Sequence, residues 1–396
     1  MKKGFLVLQN GTVFEGKAFG ADKEVVGEIV FTTAMAGYLE TLTDPSYYGQ
    51  IVLQTFPLIG NYGVIEQDFE SDRVWPRGYI VKYPCFAPSN FRSEYDLDTL
   101  LKKHGVTGLA DIDTRALAKI IRQEGAMNGK IMFKKPTAKD RKEIAEYKVL
   151  DAVANVSKKD ISRIEQPLEQ KQEIAQDLLD AMRVKSADGT AAEVAKTEVK
   201  TDKDLRIALL DTGSKRAIEM EMIKRGAEVK RFAYNASADE ILAYNPTGIL
   251  LSNGPGDPAE KANAPIIETI KKLVKSNITI FGICLGHQFL AMANGLKSRK
   301  LKFGHRSANQ PVKDLKSGKV YITSQNHGYE VISKGKSWLV NVNDGTCEGL
   351  DFGNSFSVQF HPEACGGPLD TTFLFDKFVD RIKASQKTKS TNGGVR

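Results

Sequence analysis

Residues 277–295 read NITIFGICLGHQFLAMANG. The β-branched apolar run Ile278-Thr279-Ile280-Phe281 predicts a buried strand. Phe289, Leu290, Met292 and Ala293 then recur at helical spacing, and Gly295 is suited to stop a helix. Between the two stands Gly282-Ile283-Cys284-Leu285-Gly286, with glycine two residues either side of one reactive residue. A strand turning sharply into a helix around such a residue is a nucleophile elbow, here with Cys in the place of Ser. Glycine is needed where a tight turn brings backbones close together. A sulfur at a helix N-terminus meets unpaired N–H groups and the positive end of the dipole, which favour thiolate over thiol. A lone Cys is ordinarily a small buried hydrophobe. The flanking pattern argues for chemistry instead.

The elbow belongs to a longer alternation. Arg206–Leu210, Glu228–Phe232 and Ile249–Ser252 read as strands; Lys215–Arg225, Asp239–Tyr244 and Pro265–Ser276 read as helices. Strands alternating with helices imply βαβ units and an α/β fold with a doubly wound, mostly parallel sheet. In such sheets sites gather at the carboxyl ends of strands, and three further motifs fall there. Leu250–Pro258, LLSNGPGDP, has glycines able to turn main-chain N–H groups toward a developing oxyanion. Ser357–Glu363, SVQFHPE, runs a strand into His361-Pro362-Glu363. Residues i and i+2 of an extended chain point the same way, and Pro362 holds His361 extended. Glu363 is thereby placed to bind one imidazole nitrogen while the other faces the thiol, which is the logic of nucleophile, base and orienter. Ser324–Tyr329, SQNHGY, follows a strand at Val320–Thr323 and reads as a polar turn. A zinc reading of Cys284, His361 and Glu363 is poor, since no second ligand pair has metal spacing.

The first part of the chain differs. Residues 1 to about 135 are β-rich, with strands expected at Val25–Phe31 and Ile51–Thr55 and turns at Gly-Asn, Asp-Pro and Asn-Tyr-Gly. The start, MKKGFLVLQNGTVFEG, resembles a signal peptide, but its apolar run ends at Gln9-Asn10-Gly11, so a hairpin strand is expected. Asp113-Thr114 is placed to cap a helix over Arg115–Gln123, with Gly125 beyond its end. From about 136 to 204 Lys, Glu, Asp, Ala and Gln dominate; a helix is expected at Glu169–Val184 and an exposed linker over 186–204. The domain reading is therefore 1–150, a charged linker or insertion at 151–204, 205–385, and a flexible tail at 386–396.

Composition excludes several classes. The chain has 396 residues, 41% hydrophobic, enough for two or more cores. It has no apolar run of 18 residues, so no membrane span is expected. The formal charge of +7 is diffuse lysine without clustered Arg and aromatics, which does not point to nucleic acid. Cys85, Cys284, Cys347 and Cys365 show no CxxC pairing, which suits a reducing cytosol and a cytoplasmic enzyme.

FGICLGHQ, a downstream HPE and the preceding LSNGPGDP together resemble a class I glutamine amidotransferase domain, over about 205–383. EIVFTTAMAGYLETLTDPSYYGQIV, the NYG at Asn61–Gly63, SNFRSEYDLDTLL and GLADIDTRALAKIIRQEGAMNG resemble the small subunit family of glutamine-dependent carbamoyl-phosphate synthetase. That resemblance implies a β-rich N-terminal α+β domain ahead of the amidotransferase. It implies Cys284 as nucleophile, His361 as base and Glu363 as its partner, with oxyanion N–H groups from Gly256 and Leu285. It places L-glutamine against Ser46 of the first domain and Gly254, Gly256 and Leu285 of the second. Gln288, Asn326, Gly328 and Tyr329 complete the contacts. It implies no metal and no cofactor in this chain. ATP and Mg are expected in a large synthetase subunit, with which the chain forms a heterodimer or higher oligomer, in service of arginine or pyrimidine synthesis. No GxxxxGK[ST] loop is present to hold ATP here. Rival readings are a stand-alone cysteine hydrolase and an inactive regulatory subunit. Three departures from the family pattern stand out: FGHRSANQPV at Phe303–Val312 lacks a second His, Tyr329 stands where Phe is common, and LDTGSK at Leu210–Lys215 is loose.

Overall fold

A computed structural model of the chain describes residues 2–158, 202, 204–364 and 366–392, with side chains as far as 387. The helix expected at 169–184, Cys365 and, apart from Asp202 and Asp204, the linker at 186–204 lie outside the described residues.

The N-terminal part closes into a seven-stranded barrel. Its strands are β1 (Lys2–Leu8), β2 (Val13–Gly20), β3 (Val25–Thr32), β4 (Gln50–Gln54), β5 (Gly78–Ile80), β6 (Thr107–Ala110) and β7 (Met127–Met132), in the order β1-β2-β6-β5-β4-β3-β7. The chain start is a hairpin strand, with Leu6 opposite Phe14. Closure removes the unpaired edges that a sheet of short strands would otherwise expose. Alternation along the strands sends Leu6, Ile29, Ile51, Ile80, Leu109 and Ile131 into one buried cluster, with Leu117 and Ile121 of the helix Thr114–Glu124. Val30, Val52, Tyr79 and Ala110 enter another, with Leu39 and Leu42 of the helix Tyr38–Thr43 and Leu97 and Leu100 of the helix Leu97–Lys103. The helix Thr114–Glu124 begins where its cap predicts: the Asp113 carboxylate accepts from the Ala116 N–H.

The C-terminal part is a nine-stranded sheet. Its strands are β8 (Arg206–Asp211), β9 (Glu228–Ala233), β10 (Gly248–Leu251), β11 (Thr279–Ile283), β12 (Lys297–Asp314), β13 (Val320–Ile332), β14 (Ser337–Asn341), β15 (Cys347–Asp351) and β16 (Ser355–Val358), in the order β9-β8-β10-β11-β16-β15-β14-β12-β13. The run β9 to β16 is parallel, and the rest extends it antiparallel. Apolar side chains cover both faces of the parallel part. Phe281 and Phe356 stack at 4.4 Å under Phe378 of the C-terminal helix, while Ile280 and Leu251 meet Ile270 and Phe289 on the other side.

Three expectations need correction. Ser324–Tyr329 is not a turn but the middle of β13, a long strand that reads as polar because its partner β12 also carries buried polar groups. Residues 151–158, read as the start of the linker, are packed: Ala152–Val156 is a short helix, Val153 joins the core of the second sheet, and Lys158 N–H donates to Asp211. The helix Phe373–Asn392 runs into the segment read as a flexible tail. Among the described residues no helix is long and apolar enough to cross a membrane.

Candidate active site

Cys284 stands at the end of β11 as the N-cap of the helix Leu285–Ala293, with φ +54° and ψ −103°. A non-glycine residue in such a conformation costs about 1–3 kcal/mol and persists only where its surroundings fix it. Here the Cys284 N–H donates to Val358 O at 2.9 Å, and the next turn is tied to β10 by Gly286 N–H to Ser252 O at 3.0 Å. The flanking glycines are steric necessities. A Cβ on Gly286 would strike the Leu251 carbonyl, and one on Gly282 would lie 2.7 Å from Gly286 O. The spacing G-x-C-x-G is thus what lets strand, helix and neighbouring strand meet at one residue.

His361 arrives from the adjoining strand. The chain leaves β16, and the His361 N–H donates to Ser324 O on β13 at 2.9 Å. Two residues along β13, the Asn326 carbonyl accepts from the Cys284 thiol at 3.7 Å. Glu363 Oε1 lies 2.6 Å from His361 Nδ1 and accepts from Lys215 Nζ at 2.8 Å. All four side chains are buried. Nε2 of His361 has no hydrogen-bond partner among the described residues.

Burial works against an imidazolium at His361, but the Glu363 carboxylate outweighs it and Cys284 adds to it, so its pKa is raised. Burial likewise works against the Glu363 charge, but Lys215 and His361 together hold its carboxyl below the usual range. Lys215 is the residue that sequence reasoning missed. It follows Asp211-Thr212-Gly213-Ser214, a stretch noticed only as loose. The available signal is a lysine just beyond the carboxyl end of a buried strand, where a buried cation needs an anion. Because Lys215 already fills the cation position at Glu363, the group suits proton chemistry rather than a metal.

The barrel closes the site from the other side. Asn253 Nδ2 donates to Ser46 Oγ at 3.0 Å and to Asp44 Oδ1 at 3.3 Å. Asn326 Nδ2 donates to Asp44 Oδ2 at 2.9 Å. Glu70 takes the Ala217 N–H at 3.0 Å, capping the helix Arg216–Lys224 directly after Lys215.

Between the two parts lies a cleft of about 420 Å³. Ser46, Gly254, Gly256, Cys284, Gln288, Asn326, Gly328 and Tyr329 all line it. Leu285 is not among the residues lining it, and its side chain sits in the core cluster with Leu251. Gln288 is locked by donating to Tyr329 O and Gln359 Oε1, both at 3.0 Å. His361 opens instead on a smaller cavity of about 60 Å³, shared with Lys215 and Asp44.

Two family models match the chain: carbamoyl-phosphate synthase small chain, CPSase domain, over residues 6–131, and glutamine amidotransferase class-I over 208–381. A carbamoyl phosphate synthase small chain of Clostridium perfringens is 46% identical over 95% of this chain and 99% of its own. One from Archaeoglobus fulgidus is 44% identical over 96% and 99%. The chain belongs to the carbamoyl phosphate synthase small chain family. A pyrimidine-specific carbamoyl phosphate synthase small chain of Bacillus subtilis is 43% identical over 96% of this chain and 96% of its own. The barrel lies within the residues matched by the CPSase-domain model, and the cleft lies between it and the part matched by the class-I amidotransferase model.

His305, His327 and Glu348, of which His327 also lines the cleft, bring potential metal-ligand atoms within 4.8 Å of one another. Polar protein groups already stand at both nitrogens of each ring. His305 Nε2 pairs with Asp344 at 2.8 Å and its Nδ1 meets Gln325 Oε1 at 3.1 Å. His327 Nδ1 and Nε2 meet Tyr329 O and Gln325 Oε1 at 2.8 and 2.9 Å. The cluster thereby braces the strand that carries Asn326 and Gly328.

Proposed function

We propose that Cys284, His361 and Glu363 hydrolyse L-glutamine to glutamate and ammonia, and that a large synthetase subunit uses the ammonia to make carbamoyl phosphate from bicarbonate and ATP. The observation that carries this reading is a strained Cys elbow at a cleft wall beside a buried His–Glu–Lys group. Cys284 attacks the side-chain carbonyl as thiolate, with protonated His361 as the balancing charge. Main-chain N–H groups of Leu285 and Gly256 receive the oxyanion. The tetrahedral intermediate collapses, the C–N bond breaks, and His361 gives its proton to the departing ammonia. Neutral His361 then takes a proton from water, whose oxygen attacks the thioester and releases glutamate and the Cys284 sulfur. Glu363 holds the imidazole in one tautomer and orientation throughout, as a third group does in other triads. ATP and Mg act in the partner. The name of the Bacillus subtilis relative supports pyrimidine synthesis as one destination of the product.

Ammonia released into water is lost by protonation and diffusion, so hydrolysis without an acceptor is wasteful. The cleft offers a means of coupling, because Asp44 and Ser46 on the barrel touch Asn253 and Asn326 on the other wall. Displacing a reacting group by about 1 Å costs ~100-fold. The test is glutamate release by the purified chain, alone and with the large subunit. Slow release alone, faster release with the partner and a further rise with ATP and bicarbonate are expected. Equal, rapid release in every condition would favour the stand-alone hydrolase.

A further inference from the structure

Arg306 on β12 lines the cleft and is only 6% exposed. Its Nη1 donates to Phe303 O at 2.8 Å, and its Nε has no hydrogen-bond partner among the described residues. No ion pair joins it to a carboxylate among the described residues. Glu28, the carboxylate that acts on it through space, is already held by Lys300 at 2.5 Å and Gln50 at 2.9 Å. A buried guanidinium without a paired anion is expensive.

Two glycines make room for this side chain. A Cβ on Gly304, where φ is +73°, would lie 2.6 Å from Arg306 Nη1, and one on Gly328 would lie 3.2 Å from Nη2. The Nη2 end therefore rests against Gly328, on the wall assigned to glutamine. A guanidinium fork matches a carboxylate with two parallel donors. The reacting amide at Cys284 is served by main-chain N–H groups instead.

We propose that Arg306 is a specificity residue that binds the α-carboxylate of the amino-acid substrate. This rests on the glutaminase reading above. The charge of the substrate completes the buried guanidinium, and an amide without a carboxylate leaves it unpaired. Selection for an amino acid over a simple amide follows from that difference.

The experiment uses the complex with the large subunit, Arg306→Met and Arg306→Lys, and two amides: glutamine and 4-aminobutanamide, which is glutamine without its α-carboxylate. Arg306→Met should raise KM for glutamine about 10- to 100-fold, the scale of a lost charged hydrogen bond, with kcat within about 3-fold. Arg306→Lys should fall between Arg306→Met and wild type. The penalty should vanish for 4-aminobutanamide. A second readout is protection of Cys284 from iodoacetamide, which needs no turnover. The half-protecting concentration of glutamate should rise by the same factor, and that of 4-aminobutanoate should not. Unchanged KM and protection in Arg306→Met would overturn the proposal. So would equal losses with and without the carboxylate, which would place Arg306 at the reacting centre or in the scaffold. If Arg306→Met does not fold, Arg306→Lys with the same ligand pairs decides by the same criterion. Wild type that releases no glutamate from glutamine would instead sink the glutaminase reading itself.

Discussion

The two walls of the cleft are built on different principles. On the sheet side, the reactive geometry is held by backbone: a positive φ at Cys284, glycines at 282 and 286, and main-chain bonds to Val358 and Ser252. On the barrel side it is held by side chains reaching across: Asp44, Ser46 and Glu70 contact Asn253, Asn326 and the helix after Lys215. Backbone constraints leave local sequence signatures, because only certain residues fit a given φ or close approach. Reaching side chains leave none, because their partners are distant in sequence. On the proposed function, the first wall carries the chemistry and the second sets its alignment.

Cys284→Ser should cost roughly 10,000-fold or more in glutamate release, since an unactivated hydroxyl replaces the proposed nucleophile. Carbamoyl phosphate made from free ammonia should survive in the complex. Wild-type glutamine turnover in this variant would move the chemistry off the sheet wall. Next, Lys215→Gln should lower kcat on the order of 100-fold with little change in KM, because a buried carboxylate loses its cation and the His361 proton is held differently. A change confined to KM would mean that Lys215 acts on substrate rather than on Glu363.

Asp44→Ala tests the barrel wall. A fall of about 10- to 100-fold in kcat/KM is expected, with the large subunit's stimulation reduced, since the variant removes acceptors from Asn253 and Asn326. Full activity and full stimulation would show that the barrel only covers the site. The smallest effect concerns the brace behind β13. Burial opposes a charge on His305, but Asp344 and Glu348 raise its pKa to about 9. Its contribution to stability is therefore complete below about pH 6.5 and lost as pH rises through 9. The expected loss over that window is on the order of 2 kcal/mol, read as a falling melting temperature that His305→Gln flattens. A pH-independent difference between the two proteins would show that His305 carries no charge there.

Much of the architecture could be read without coordinates. Asp113 and Gly125 mark the ends of a helix because a cap and a stop are local devices. The alternation after residue 205 reads as a parallel sheet because strands buried on two faces are nearly continuous apolar runs. The spacing of His361 and Glu363 brings them together because an extended chain repeats every two residues. The middle of β13 is not legible as a strand, because SQNHGY lacks apolar alternation: its buried Gln325 and His327 meet His305 and each other rather than apolar side chains. The packed helix Ala152–Val156 lies in a charged, aromatic-free region, and its anchors are only the small apolar side chains of Ala152, Val153 and Val156.

Residue identity and short-range spacing thus fix the elbow, the caps and the type of sheet, because their causes act within a few residues of chain. Lys215 beside Glu363, Arg306 against Gly328 and Asp44 between two asparagines follow from no local rule. Each joins residues from separate strands or from separate parts of the chain, and burial decides which of many charged side chains meet. Long-range pairing in a low-dielectric interior is a property of the packed molecule, and it emerges only when barrel and sheet close on each other.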